Sequence, residues 1–327
     1  MKKLPKILLL LFAIVIIGIV GILSYVSLAL PDVGPPPEIS IKPNAASIEN
    51  GRYLANHVAV CIDCHSTRDY TLFAAPPIAG TEGKGGETFD HRLGFPGSYT
   101  AKNITPSGLG NWTDGEIYRA MTTGVSKDGH ALFPIMPYPY YASMDPQDAN
   151  DIIAYIRTLK PLENTPPPST SDFPMNFIIN TIPQKAKAMS KPSEDDVLKY
   201  GEYLITVASC RECHTKPDDK GGKVPGMDYA GGFVFPMPGY GTLVSPNITP
   251  DPETGIGKWT KEAFVARFKA YADSTYQSPK VGKGQFQTMM PWTMYSGMKV
   301  KDIEAIYTYL KSIKPVKNKV VKFTSEI

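Results

Sequence analysis

Spare cysteine is what this chain lacks most. Only 4 occur in 327 residues, and all fall in two copies of one pentapeptide, Cys61-Ile62-Asp63-Cys64-His65 and Cys210-Arg211-Glu212-Cys213-His214. No thiol remains for a disulfide framework or a lone nucleophile, and none closely follows the apolar N-terminal run, which excludes a lipoprotein anchor. Charge of one sign is scarce as well: 34 basic residues against 31 acidic ones leave a formal net charge of +3. So small an excess gives no footprint for nucleic acid and describes a solvated, mildly basic surface. Histidine is rare, at 5. Proline (31) and glycine (28) are abundant, which predicts a mainly α fold of short helices joined by long irregular loops.

C-x-x-C-H is the attachment signature of c-type haem. Thiols spaced over about one helical turn can each add to a vinyl group on one porphyrin edge, and the next residue then offers a nitrogen to the iron. Cys61 and Cys64, then Cys210 and Cys213, are therefore expected to carry two covalently attached haem c groups, with His65 and His214 as axial ligands. Zinc ribbons place their C-x-x-C pairs about 15–20 residues apart, whereas these pairs lie on either side of a whole domain. A dithiol redox motif gives no reason for the histidine after each copy.

Lys2, Lys3 and Lys6 precede a charge-free run from Ile7 to Val26, about the length needed to cross a bilayer as a helix. Residues 1–30 are expected to be an uncleaved transmembrane anchor, N-terminus inside, with the haem domains on the periplasmic or extracytoplasmic face. A cleaved signal peptide ending at Ser27-Leu28-Ala29 is the competing reading, although its apolar region would usually be shorter. Residues 31–44 read as a proline-rich extended stalk, with order beginning near Ala45 and Ser47 capping a first short helix.

The chain then repeats itself. Gly51-Arg-Tyr-Leu answers to Gly201-Glu-Tyr-Leu, and Asn103-Ile-Thr-Pro to Asn247-Ile-Thr-Pro. Trp112-Thr answers to Trp259-Thr, Met136-Pro-Tyr to Met290-Pro-Trp, and Tyr141 to Tyr295. Tyr155-Ile-Arg-Thr-Leu-Lys-Pro pairs with Tyr309-Leu-Lys-Ser-Ile-Lys-Pro. The order is kept, which predicts a duplication: one domain over 45–163, a linker over 164–192, a second domain over 193–316 and a frayed basic tail over 317–327. Thr113 with Glu116 predicts a capping box that Thr260 lacks. Asp145-Pro146 predicts another helix start, and helical spacing puts Ile152, Tyr155, Ile156 and Leu159 on one apolar face and Ile303, Ile306, Tyr307 and Leu310 on another. The apolar part of the linker, Phe173 to Ile179, is expected to lie on a domain.

Met136 and Met290 are the expected sixth ligands. Each follows its C-x-x-C-H at a domain's distance and precedes a proline, which fixes φ and stiffens the loop that carries it. Met289 is adjacent to Met290 but unaligned with Met136; the aligned pair Met144 and Met298 is expected in the core. His57, His91 and His130 have no counterparts in the other copy and are expected to be surface or supporting residues. Trp112, Trp259 and the Asn-Ile-Thr-Pro loops either line the propionate side of each haem or serve as core and turns.

These matched elements resemble the class I cytochrome c modules of bacterial membrane-bound dehydrogenases, above all the multihaem cytochrome c subunit of alcohol and related dehydrogenases. The resemblance covers about Ala45 to Pro315, with two modules in place of three and an N-terminal anchor. It implies two tandem class I cytochrome c domains relaying single electrons between an exported dehydrogenase and a cytochrome or oxidase acceptor, without catalysis of their own. A dihaem peroxidase with one haem opened for chemistry is the alternative.

Overall fold

A computed structural model describes residues 4–219 and 221–326; Lys2, Lys3 and Ile327 lie outside the described residues. The first element is α1 (Leu4–Leu28), whose side chains stand exposed along most of their run. It is long and apolar enough to cross a membrane by length and composition. The proline-rich stretch that follows is no free-standing stalk. Pro37 presses its carbonyl oxygen 1.8 Å from where a Cβ on Gly115 would sit, and the Ile41 N–H donates to Asp114 Oδ2 at 3.0 Å. Prolines carry no N–H to satisfy, so such a segment can lie flat on a folded surface at little cost.

The first half opens with α2 (Ala45–Tyr53). Its cap is Asn44, one turn earlier than expected, with Ser47 in the third helical position returning the hydrogen bond. One π-helical turn, Leu54–Val58, leads to α3 (Cys61–Cys64). A hairpin of β1 (Thr88–Phe89) and β2 (Gly97–Thr100) precedes α4 (Pro106–Leu109), α5 (Asp114–Thr123), α6 (Tyr138–Tyr141) and α7 (Pro146–Ile156). The linker supplies β3 (Thr170–Ser171) and α8 (Met175–Ile178). The second half repeats the plan with α9 (Val197–Val207), α10 (Cys210–Cys213), β4 (Val234–Met237) and β5 (Gly241–Val244). It closes with α11 (Lys261–Lys269), α12 (Trp292–Tyr295), α13 (Val300–Ser312) and β6 (Phe323–Ser325).

The structure is mainly helical, as expected, and the predicted helix starts form. Thr113 and Glu116 make a reciprocal capping box, Thr260 caps without one, and Asp145 caps α7 with Pro146 behind it. The repeated glycine of Gly-x-Tyr-Leu has a packing reason. A Cβ on Gly51 would lie 1.8 Å from the Asp151 carbonyl oxygen, and one on Gly201 would lie 2.1 Å from that of Ala305. Only glycine lets α2 cross α7, and α9 cross α13, at this separation.

Each half also holds a small antiparallel sheet, in the orders β1-β2-β3 and β4-β5-β6. The tail therefore is not frayed: Phe323 to Ser325 pair with Leu243 to Gly241. Gly97 and Gly241 turn their strands at φ +149° and +150°, with the backbones of Thr170 and Thr324 against them.

One continuous apolar core joins the halves, running from Leu54, Ile62 and Ile152 to Leu204, Ile303 and Leu310. Two tyrosines cross between the halves in mirrored fashion. Tyr53 donates to Asp302 at 2.5 Å and accepts from the Lys299 N–H at 3.0 Å. Tyr203 donates to Asp148 at 2.6 Å and accepts from the Asp145 N–H at 3.3 Å.

Candidate functional site

Each pentapeptide is preceded by a left-handed residue, Val60 (φ 47°) or Ser209 (φ 49°), which breaks the preceding helix and starts a single new turn. The turn ends with the histidine donating its backbone N–H to the first cysteine's carbonyl, at 3.1 Å for His65 and 2.9 Å for His214. All four thiols are free. Burial pushes those of Cys61, Cys210 and Cys213 up to about 12, and that of Cys64 higher still. They are neutral thiols facing a cavity of about 1700 Å³ that is shared by both halves. Its volume exceeds the range of about 300–1,000 Å³ usual for a single small ligand. No three His, Cys, Asp or Glu side chains converge into a metal cluster among the described residues, so the cysteine pairs do not meet as a four-thiolate site.

The two histidines are held alike. His65 Nδ1 lies 2.7 Å from the Lys102 carbonyl oxygen and His214 Nδ1 lies 2.9 Å from that of Pro246. A carbonyl only accepts, so each Nδ1 carries the proton and each Nε2 keeps a free lone pair. Burial lowers both pKa values, which keeps the rings neutral. Lys102 and Pro246 each stand just before Asn-Ile-Thr-Pro, and that explains the repeated loop. Asn103 spends its side chain on Thr105, Leu162 and Asn164, and Asn247 on Thr249, Thr254 and Val316. These asparagines make turns and have no donor left over for a propionate.

Met136 and Met290 both line the cavity, as do Met289 and Met121, whereas Met144 and Met298 are buried in the core. The tyrosine five residues after each of Met136 and Met290 ties the methionine's loop back towards the pentapeptide: Tyr141 donates to the Ala59 carbonyl and Tyr295 to that of Ala208, both at 2.9 Å. Trp112 and Trp259 are on the wall as well. His91 is exposed and pairs with Asp172 at 2.6 Å, while His130 is held by Ser126 and Asp128. His57 reaches the other half, with Nδ1 2.8 Å from the Met294 carbonyl oxygen.

Three features escaped the reading of the sequence. Arg68 is buried 3.4 Å from Asp63, within reach of Glu87 and donating to the carbonyls of Ala74 and Ala75. Burial pushes Asp63 up to about 6 against the pull of Arg68. In the second half Glu212 stands in the place of Asp63 and takes Lys223 at 2.8 Å and Tyr140 of the first half at 2.9 Å. Gln287, fully buried, accepts from the Ala74 N–H at 2.9 Å and donates to the carbonyls of Tyr70 and Leu72, so the first half grips the loop that carries Met290. A lone arginine or glutamine in a loop gives no periodic signal that could have announced these roles.

Residues 198–314 match the cytochrome c family, so the second half is a cytochrome c domain. The chain as a whole resembles cytochrome c subunits of quinone-linked and related dehydrogenases. It is 28% identical to the cytochrome c subunit of alcohol dehydrogenase (quinone) from Gluconobacter oxydans, across 69% of this chain and 47% of that one. It is 29% identical to the fructose dehydrogenase cytochrome subunit of Gluconobacter japonicus, across 85% and 54%. A dihaem cytochrome c-type protein of Cereibacter sphaeroides is 32% identical across 58% and 63%. The chain spans about half the length of the dehydrogenase subunits it matches. A cytochrome c domain implies covalently bound haem c. The residues present fit it: free paired thiols, a histidine with its outer nitrogen unengaged, and a largely apolar cavity beside them.

Proposed function

We propose that this chain is a membrane-anchored dihaem cytochrome c that relays single electrons between an exported dehydrogenase and a respiratory acceptor. The observation that supports it best is the doubling of the site. Both pentapeptides, both Nδ1-anchored histidines and both Met-Pro loops border one cavity. Haem c supplies, when bound, a one-electron iron couple whose potential a methionine ligand raises.

Cys61 and Cys64 would hold one group and Cys210 and Cys213 the other, with His65 and Met136, then His214 and Met290, as the residues that would bind each iron. The carbonyls of Lys102 and Pro246 fix the tautomer and ring orientation of the histidines. Tyr141 and Tyr295 keep the methionine loops in register with the pentapeptides, and the apolar wall excludes water. Helix α1 would cross the membrane once, with the two tandem class I domains on its outer side.

Full chain matured in a haem-attaching host should carry two haems per polypeptide by intact mass, and Cys210→Ala/Cys213→Ala should carry one. The ferrous protein should resist carbon monoxide. A single haem in the unmodified chain would overturn the dihaem reading, and ready carbon monoxide binding would overturn the double ligation.

A further inference from the structure

The linker segment Phe173-Pro-Met-Asn-Phe-Ile-Ile-Asn-Thr-Ile contains no charged residue. It lies on the first half, as expected, with Asn176, Ile179 and Asn180 on the cavity wall and Met175 and Phe177 half-buried, but part of its apolar surface faces outward. Phe173 is 81% exposed and Ile178 44% exposed, while Phe177 supports Phe173 edge-on with ring centroids 6.4 Å apart. Outside α1, Phe173 is the most exposed large apolar side chain among the described residues.

Its position in the fold is set by α1. Helix α8 and the 3₁₀ turn after it pack against the end of α1. Asn180 Nδ2 donates to the Val26 carbonyl at 3.2 Å, one of the last carbonyls of α1, which have no partner within a helix. Val26 lies near the end of α1 and 20 residues into the charge-free run that begins at Ile7 and continues to Pro31, and those 20 residues cover about 30 Å at helical rise. Whatever binds the Val26 carbonyl therefore sits at the outer boundary of the hydrocarbon that α1 would span. Bulky apolar side chains beside that point face the acyl and headgroup region. On the polar side the patch ends at Asp172, which is paired with His91.

We propose that Phe173, Phe177 and Ile178 form a second contact with the lipid surface, dipping into the outer leaflet beside the anchor. This rests on the reading of α1 as an uncleaved membrane helix. The occupant is lipid because the patch is continuous with the span itself. A docked protein partner is the competing outcome.

The test uses the full chain with both haems attached, so that the native cysteines are blocked, reconstituted in phosphatidylcholine/phosphatidylglycerol vesicles. Nitroxide labels are placed by Ile16→Cys, Phe173→Cys or Glu262→Cys, and collision with dissolved oxygen is compared with collision with a water-soluble nickel chelate. Oxygen should dominate severalfold at positions 16 and 173, and nickel at 262. Lipid exposure at 16 with nickel dominant at 173 would overturn the second contact alone. Nickel dominant at 16 would overturn the anchor and the proposal with it.

Discussion

A thioether is a weak ligand unless its loop holds it in place, and the chain invests in that loop twice. Tyr141 and Tyr295 pin the Met136 and Met290 loops to the carbonyls of Ala59 and Ala208. Met136→Ala should lower the potential of one haem and abolish that haem's sulfur-to-iron absorption in the far red; Met290→Ala should do the same to the other. Potentiometry with optical detection checks both, and an unchanged ferric spectrum in either variant would remove that methionine from the site. His57 differs in kind. Burial holds its pKa below the ordinary value, partly opposed by the Met294 carbonyl, with Arg52 and Lys269 adding to the lowering. Below pH about 6.5 the unfolded chain takes up a proton that folded His57 resists, so its contribution is full above that pH and shrinks on acidification, levelling off below the folded pKa. His57→Val removes the titrating ring and its tie to the Met294 carbonyl. It should be less stable than the parent near pH 7.5 and approach it towards pH 5, as read from urea midpoints, both pH values being approximate.

At the level of elements, the helices were legible because their signals are local. Asp145-Pro146 and Thr113 with Glu116 announce helix starts, and Ile152, Ile156 and Leu159 recur at helical spacing. The sheets were not legible. Their third strands come from beyond the last helix of each half, and strands as short as Thr170–Ser171 or Phe323–Ser325 carry no alternation to detect. The π-helical turn could have been inferred, since Tyr53 precedes its pentapeptide by one residue more than Tyr203 does, and a π turn absorbs one extra residue in a helix. The buried ring of Arg68, Asp63 and Glu87 could not, because long-range pairing leaves no spacing rule. Truncation after Val320 removes β6 and with it the acceptor for the Val244 N–H, the Lys322 carbonyl at 2.9 Å. Hydrogen exchange should then accelerate at Val244, and at Gly239, whose N–H donates to Glu326 Oε2 at 3.0 Å, by about tenfold or more, which is about 1.4 kcal/mol of lost protection, while amides of α7 stay slow. Uniform acceleration through both halves would show that the strand supports the whole fold.

For the whole molecule, the mirrored tyrosines make the halves one body. Asp302 and Asp148 are almost wholly buried, and each takes a phenol from the other half, Asp302 beside Tyr200 and Asp148 beside Lys191 and Asn50. Tyr53→Phe and Tyr203→Phe should each cost about 1.5–3 kcal/mol, the range for a hydrogen bond to a charged group. The double variant should come near the sum, because the two pairs share no residue. Denaturant titration of the four proteins closes the cycle, and separate transitions for the two halves in the double variant would mark these bonds as the source of their cooperativity.

The fastening of Pro37 and Ile41 to α5, together with the closure of α1 by Asn180, leaves no slack between anchor and body. On the proposed topology the protein cannot swivel on a string to meet its partners. Its tilt is set in advance, and encounter becomes a matter of lateral drift in a plane, so only molecules that present a docking face at the same height above the bilayer can exchange an electron with it.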